Sequence, residues 1–215
     1  MTKRLILFDN DGTLYQIPRV FFNTVMDNIY SGIIKATGKS MEDVLRENKA
    51  LKEKYKTDLT ARAFSKEYGF DLERFNSHIY ENINPSDLEV SRDQKLESLL
   101  GSLEGEKVIY TNNHTTLARK ILNSLGIEGL FEDVIGVDQL DYFSKPSSQS
   151  FQLVSEKVGL SNFDEVFFVE DKGINLKPAR ELGVKTVLVG SGKDPGREYA
   201  DFLIPTIYEL RGVIQ

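Results

Sequence analysis

Leu5-Ile6-Leu7-Phe8-Asp9-Asn10-Asp11-Gly12-Thr13-Leu14 carries four apolar residues straight into a pair of aspartates. An apolar run this short, without polar alternation, fits a strand covered on both faces, as in a parallel sheet. Similar runs return at Val108-Ile109-Tyr110, Val134-Ile135-Gly136-Val137, Val166-Phe167-Phe168-Val169 and Thr186-Val187-Leu188-Val189, with a weaker one at Phe202-Leu203-Ile204. Helical spacing fills the gaps between the later runs. Leu117, Ile121, Leu122 and Leu125 share a face before Gly126, Phe151, Val154 and Val158 before Gly159, and Ala179 and Leu182 before Gly183. A helix that stops at glycine and leads into a strand is the usual αβ connection. The alternation predicts an α/β fold built on a doubly wound parallel sheet.

Residues 15–85 depart from that alternation. Val20–Ala36, Met41–Tyr55, Ala61–Tyr68 and Leu72–Tyr80 are amphipathic, and no strand pattern lies among them. Ser40 and Asp43 fit a variant capping box at the start of the second segment. Asn84-Pro85-Ser86-Asp87 then breaks the helical pattern. The expected organisation is a catalytic core from residues 1–14 and 86–215, with an all-helical cap domain inserted over residues 15–85. An insert of this kind can hinge over a pocket as a lid.

Composition excludes several classes. The sequence holds no cysteine, so disulfides and thiolate metal sites are ruled out. Its 40% hydrophobic and 28% charged residues are those of an ordinary globular chain. The run before Asp9 is too short for a secretory leader, and no apolar stretch approaches a membrane span. A cytoplasmic location without membrane contact is therefore expected. Net charge is −6 with both signs interspersed, which argues against polymeric nucleic acid as a partner. The oligomeric state leaves no mark in the sequence.

Position gives the polar residues their meaning. Asp9 and Asp11 follow the first apolar run, Thr111 and Asn112 the second, and Glu170 and Asp171 the fourth. Ligands of open parallel sheets bind at the carboxyl ends of the strands, so separate strands deliver these groups to one edge. Lys145-Pro146 lies in the loop after the third run, and proline biases Lys145 towards extended backbone. Two unit charges 4 Å apart repel by roughly 4 kcal/mol at an effective dielectric near 20. A crevice holding Asp9, Asp11, Glu170 and Asp171 therefore calls for a cation, and oxygen donors favour a hard ion such as Mg²⁺. The metal and Lys145 would let a carboxylate approach a phosphate dianion. Gly12-Thr13 supplies a flexible turn beside the ligand. The Thr111 hydroxyl and nearby backbone N–H groups suit phosphate oxygens.

Together, Asp9-Asn10-Asp11-Gly12-Thr13-Leu14, Thr111-Asn112, Lys145-Pro146 and Glu170-Asp171 resemble the four ordered motifs of the haloacid dehalogenase superfamily. The likeness covers the core, which would be Rossmann-like. The insert between the first two motifs resembles the helical cap of that superfamily's first cap class. The resemblance implies an Mg²⁺-dependent phosphatase acting on a small phosphorylated metabolite. Asp9 would be the nucleophile, forming an aspartyl-phosphate and binding the metal. Asp11 would protonate the leaving oxygen, then activate water, while its main-chain carbonyl ligates the metal. Thr111 and Lys145 would hold the phosphoryl group with help from the Asn112 backbone. Asp171 would be a metal ligand, and Glu170 either a ligand or a partner behind one. Dehalogenase relatives lack the second aspartate, so Asp11 favours phosphate ester over carbon–halogen chemistry.

Leu14-Tyr15, Thr111-Asn112-Asn113 and the stretch from Phe167 to Asn175 resemble the pyrimidine 5′-nucleotidase branch, which implies a nucleoside monophosphate substrate. That branch usually has asparagine at the position of Gly12 and paired aspartates at Glu170-Asp171. The Glu-Asp pair also resembles hexose-phosphate mutases and sugar phosphatases. A mutase or phosphotransferase using the same site, and a catalytically silent binding protein on this fold, stand as the alternatives. His114 is read as a helix-surface residue, and His78 is given no role.

Overall fold

A computed structural model describes residues 2–214 of the chain. In chain order, β1 (Arg4–Phe8) precedes four helices, α1 (Arg19–Thr37), α2 (Met41–Tyr55), α3 (Thr60–Tyr68) and α4 (Leu72–Asn82). Next come α5 (Gln94–Ser102), β2 (Glu106–Tyr110), α6 (Thr115–Leu125), β3 (Asp133–Ile135), α7 (Ser148–Val158) and β4 (Glu165–Glu170). Then follow α8 (Gly173–Glu181), β5 (Lys185–Val189), β6 (Phe202–Ile204) and a short α9 (Arg211–Ile214).

The strands form one parallel sheet of order β3-β2-β1-β4-β5-β6. The chain winds outwards from β1 in both directions. The carboxyl ends of β1 and β4 are therefore the topological switch point, where such sheets hold their ligands. Register fixes who meets there. Phe8 pairs with Ile109 on β2 and with Val169 on β4, which sets Asp9 beside Tyr110 and Glu170. The Asp9 N–H continues the ladder to the Val169 carbonyl at 2.9 Å.

Both sheet faces are covered, as the unbroken apolar runs require. Leu5, Leu7, Tyr110 and Phe168 pack in one cluster with Phe151 and Val154 of α7 and Leu176 and Ala179 of α8. Ile6 and Phe8, at the alternate positions, are equally buried, and Phe8 meets Phe131 edge-on at 5.9 Å. The third apolar run leaves the sheet at Ile135 rather than Val137. Gly136 lets it turn there, because a Cβ would lie 2.5 Å from both the Asn113 carbonyl oxygen and the Thr115 nitrogen. Leu182 is a correction to the apolar face of α8. It lies past the last turn, at the helix's C-terminal cap, and is exposed, so Leu176 and Ala179 carry the burial.

The chain divides into two compact units, Met1–Gln16 with Ser91–Gln215, and Ile17–Val90. The second is all-helical. α1 buries Phe21, Val25, Ile29 and Ile33 at four-residue spacing. Ser40 caps α2, accepting from the Asp43 N–H at 3.1 Å and donating to the Asp43 carboxylate at 2.7 Å. The unit starts at residue 17 rather than 15 because Tyr15 stays with the sheet, its carbonyl accepting from the Gly12 N–H at 3.1 Å. It runs to residue 90 rather than 85 because Pro85–Leu88 forms a 3₁₀ turn packed on α1, with Leu88 fully buried. Among the described residues, no helix is long and apolar enough to cross a membrane.

Candidate active site

Asp9 follows β1 and is buried. One of its oxygens accepts from Lys145 Nζ at 2.5 Å and the other from the Thr13 hydroxyl at 3.1 Å. Lys145 is only 3% exposed. Its three ammonium protons go to Asp9, to Glu170 Oε2 at 2.8 Å and to the Tyr110 carbonyl at 3.0 Å. The Tyr110 and Phe168 rings lie 5.0 and 5.5 Å from the same ammonium. Asn112 explains how so buried a lysine is aimed. Its amide accepts from the Lys145 N–H at 2.7 Å and donates to the Lys145 carbonyl at 3.1 Å, holding the main chain around the cis Lys145-Pro146 bond.

Asp11 sits in a cradle of its own. Its Oδ1 accepts from the Tyr15 hydroxyl and its Oδ2 from the Asn113 side-chain amide. Thr111 prolongs β2, its N–H donating to the Ile135 carbonyl at 3.1 Å, and its hydroxyl accepts from the Asn113 N–H at 3.1 Å. α6 begins beyond this turn, and His114 is its cap. The buried His114 ring accepts from the Thr116 N–H at 3.2 Å. It is therefore an interior residue, not one on the helix surface.

Glu170 ends β4 fully buried. Its second oxygen accepts from the N–H groups of Asp171 and Lys172, both at 3.2 Å. Carboxylate oxygens of Asp9, Glu170 and Asp171 lie within 4.8 Å of one another. Among the described residues, one Asp171 oxygen, Oδ1, is buried without a hydrogen-bond partner. Gly12 makes room for that carboxylate, since its φ is +88° and a Cβ there would lie 2.4 Å from the other Asp171 oxygen, Oδ2. The donor set suits a hard divalent cation: clustered anionic oxygens, no sulfur, and one oxygen that no protein group satisfies.

The structure thus brings Asp9, Asp11, Thr111, Asn112, Lys145, Glu170 and Asp171 to one sheet edge. Sequence reasoning did not anticipate the Lys145–Glu170 ion pair or the hydrogen bonds of Tyr15 and Asn113 to Asp11. The available signal was local: Tyr15 lies four residues after Asp11, and Asn113 adjoins Thr111-Asn112.

Burial pushes Asp9 up to about 6, with the Glu170 charge adding and Lys145 partly offsetting. Burial and the Asp9 charge push Asp11 up to about 7, against the Tyr15 hydrogen bond. Burial also raises Glu170 and Asp171. Burial opposes the Lys145 charge, but Asp9 and Glu170 outweigh it and hold the ammonium above its ordinary pKa. A carboxylate raised in the folded state binds protons there that the unfolded chain has already released. Stability is then lost as pH rises through the folded pKa. Urea unfolding in EDTA should show the metal-free chain losing on the order of 2 kcal/mol between about pH 5 and pH 7. A flat or rising profile across that window would contradict the burial of these acids.

A parallel sheet with polar groups gathered at the ends of its two central strands is the layout of a doubly wound α/β protein. Residues 3–183 match the model of the haloacid dehalogenase-like hydrolase family, and the chain belongs to that family. It is 29% identical over 110 residues to a glyceraldehyde 3-phosphate phosphatase of Methanocaldococcus jannaschii, a match covering 50% of this chain and 48% of the relative. Phosphate metabolism protein 8 of Saccharomyces cerevisiae is 23% identical over 199 residues, covering 86% of this chain and 61% of the relative. The chain thus spans about half to three-fifths of the length of these curated relatives. The crystal structure of a haloacid dehalogenase-type phosphatase from Thermococcus onnurineus shares the fold. Its TM-score is 0.63 at 22% identity, with 99% of this chain and 97% of that one covered.

Proposed function

We propose that this chain is an Mg²⁺-dependent phosphatase of small phosphate monoesters, working through an aspartyl-phosphate on Asp9. The observation that carries the reading is the second aspartate. Asp11 stands at the same sheet edge as Asp9, with its carboxylate held by two donors and raised to about 7. A carboxyl group that exchanges its proton near neutral pH serves a leaving oxygen and then a water. Halide departure needs no general acid.

An Asp9 oxygen attacks phosphorus, and the bond to the leaving oxygen breaks. That oxygen takes the electron pair and the proton carried by Asp11. Water then attacks the aspartyl-phosphate and gives its proton to Asp11, while the Asp9–phosphorus bond breaks to restore the carboxylate. Lys145, once released from Asp9 as the nucleophile engages, neutralises phosphoryl oxygens together with the Thr111 hydroxyl and the Asn112 backbone. Asp9, Asp171 and the Asp11 main-chain carbonyl would hold Mg²⁺. Both Glu170 oxygens are already committed, which suits it to anchoring Lys145. When bound, the metal neutralises charge so that a carboxylate can approach a phosphate dianion.

The phosphatase name of the archaeal relative supports a small ester as substrate. A nucleoside monophosphate comes first, on the resemblance of Leu14-Tyr15 and Thr111-Asn112-Asn113 to nucleotidases. A panel of nucleoside, triose and hexose phosphates, each assayed with Mg²⁺ and with EDTA, tests the reading. Phosphate release that EDTA stops and excess Mg²⁺ restores is expected. Undiminished release in EDTA, or none from any ester, would overturn it. Isomer formation without free phosphate would replace it with a mutase.

A further inference from the structure

The Asp11 carboxylate has donors on both oxygens, and the two donors differ in kind. The Asn113 side-chain nitrogen can only donate, so Oδ2 must remain an acceptor while that bond stands. The Tyr15 hydroxyl can donate or accept, so it tolerates Oδ1 with or without a proton. Both partners are held by main chain. The Tyr15 carbonyl accepts from the Gly12 N–H at 3.1 Å, and the backbone of Asp11 bridges that of Tyr15. The Asn113 N–H donates to Thr111 Oγ1 at 3.1 Å, and its carbonyl accepts from the Val137 N–H at 3.1 Å.

We infer that Tyr15 and Asn113 are positioning residues that fix the plane of the Asp11 carboxyl and confine its transferable proton to Oδ1. The inference rests on the phosphatase reading and deepens it. In the first step the proton leaves Oδ1 for the departing oxygen as the phosphorus–oxygen bond breaks. In the second, Oδ1 receives a proton from the attacking water. At each transfer the Oδ1 proton faces the departing oxygen or the water while the Tyr15 hydroxyl donates to a lone pair of Oδ1, and Asn113 keeps its one bond throughout.

The test compares an alkyl phosphate, whose leaving oxygen needs a proton, with p-nitrophenyl phosphate, whose leaving group does not. kcat/KM isolates the first step in each case. Tyr15→Phe and Asn113→Ala are both assayed, since the first keeps the ring and the second leaves the two backbone bonds intact. Each variant should lose at least about 10-fold more kcat/KM on the alkyl ester than on the aryl ester. For the aryl ester, kcat should fall more than kcat/KM, because dephosphorylation also uses Asp11. Equal losses on both esters, as a merely structural role would give, overturn the inference, and so does no loss on either. Asp11→Asn is run in the same series. If it discriminates between the esters and the two variants do not, the inference alone fails. If it does not discriminate, or the parent chain cleaves neither ester, the assignment of Asp11 fails and takes the inference with it.

Discussion

Asp9→Asn is expected to lower kcat by at least about 10⁴-fold while leaving the chain folded. Asparagine keeps the shape of the side chain but replaces its nucleophilic oxygen with an amide. It also removes one of the carboxylates in the cluster with Glu170 and Asp171. The fold should survive because Lys145 keeps Glu170 Oε2 at 2.8 Å and the Tyr110 carbonyl at 3.0 Å. Removing a buried acid whose pKa is raised to about 6 also relieves the folded state near neutral pH. Phosphate release and thermal melting on one preparation check both halves. A folded Asp9→Asn chain with more than a few per cent of parental kcat would remove Asp9 from the chemistry.

The second large effect is structural as well as catalytic. Lys145→Met should destabilise the metal-free chain by about 3–5 kcal/mol at pH 8, the usual consequence of stripping one partner from a buried ionic group. Methionine fills much of the volume but offers no proton to Asp9, Glu170 or the Tyr110 carbonyl. Two buried carboxylates would then face each other without a cation. At about 2–4 °C per kcal/mol for a chain of this size, the melting temperature should fall by roughly 10 °C. Adding Glu170→Gln to Lys145→Met should return part of that loss, because it removes one of the uncompensated charges. Additive losses in the double variant would contradict the pairing. Activity should fall in Lys145→Met and stay low in the double variant, since neither supplies a cation to the phosphoryl group.

Much of this arrangement could be read from the chain because parallel strands write themselves as apolar runs. Leu5–Phe8 and Val166–Val169 stop where the polar residues begin, so Asp9 and Glu170 declare their place at a sheet edge. The partners of those residues were harder to read. Lys145 and Glu170 lie 25 positions apart, and only the fold brings the ammonium to that carboxylate. His114 follows a polar turn and precedes a helix, a context shared by exposed caps and buried ones. Its burial depends on tertiary packing, which spacing does not encode. Asn84-Pro85 ends the helical periodicity, which by sequence places residues 86–90 in the core, yet Leu88 packs into the helical unit through an irregular turn. Tyr15 and Asn113 carry no charge and fit ordinary turn composition, so their hold on Asp11 emerges only from coordinates.

The proposed catalysis turns on a covalent bond between Asp9 and phosphorus. Asp11→Asn should slow the hydrolysis of that bond and let it accumulate with p-nitrophenyl phosphate and Mg²⁺. Mass spectrometry of the acid-quenched variant should find one added phosphoryl group, labile to hydroxylamine, on the peptide containing Asp9. A phosphoryl group on any other residue, or turnover by the parent with no adduct in the variant at any quench time, would contradict it.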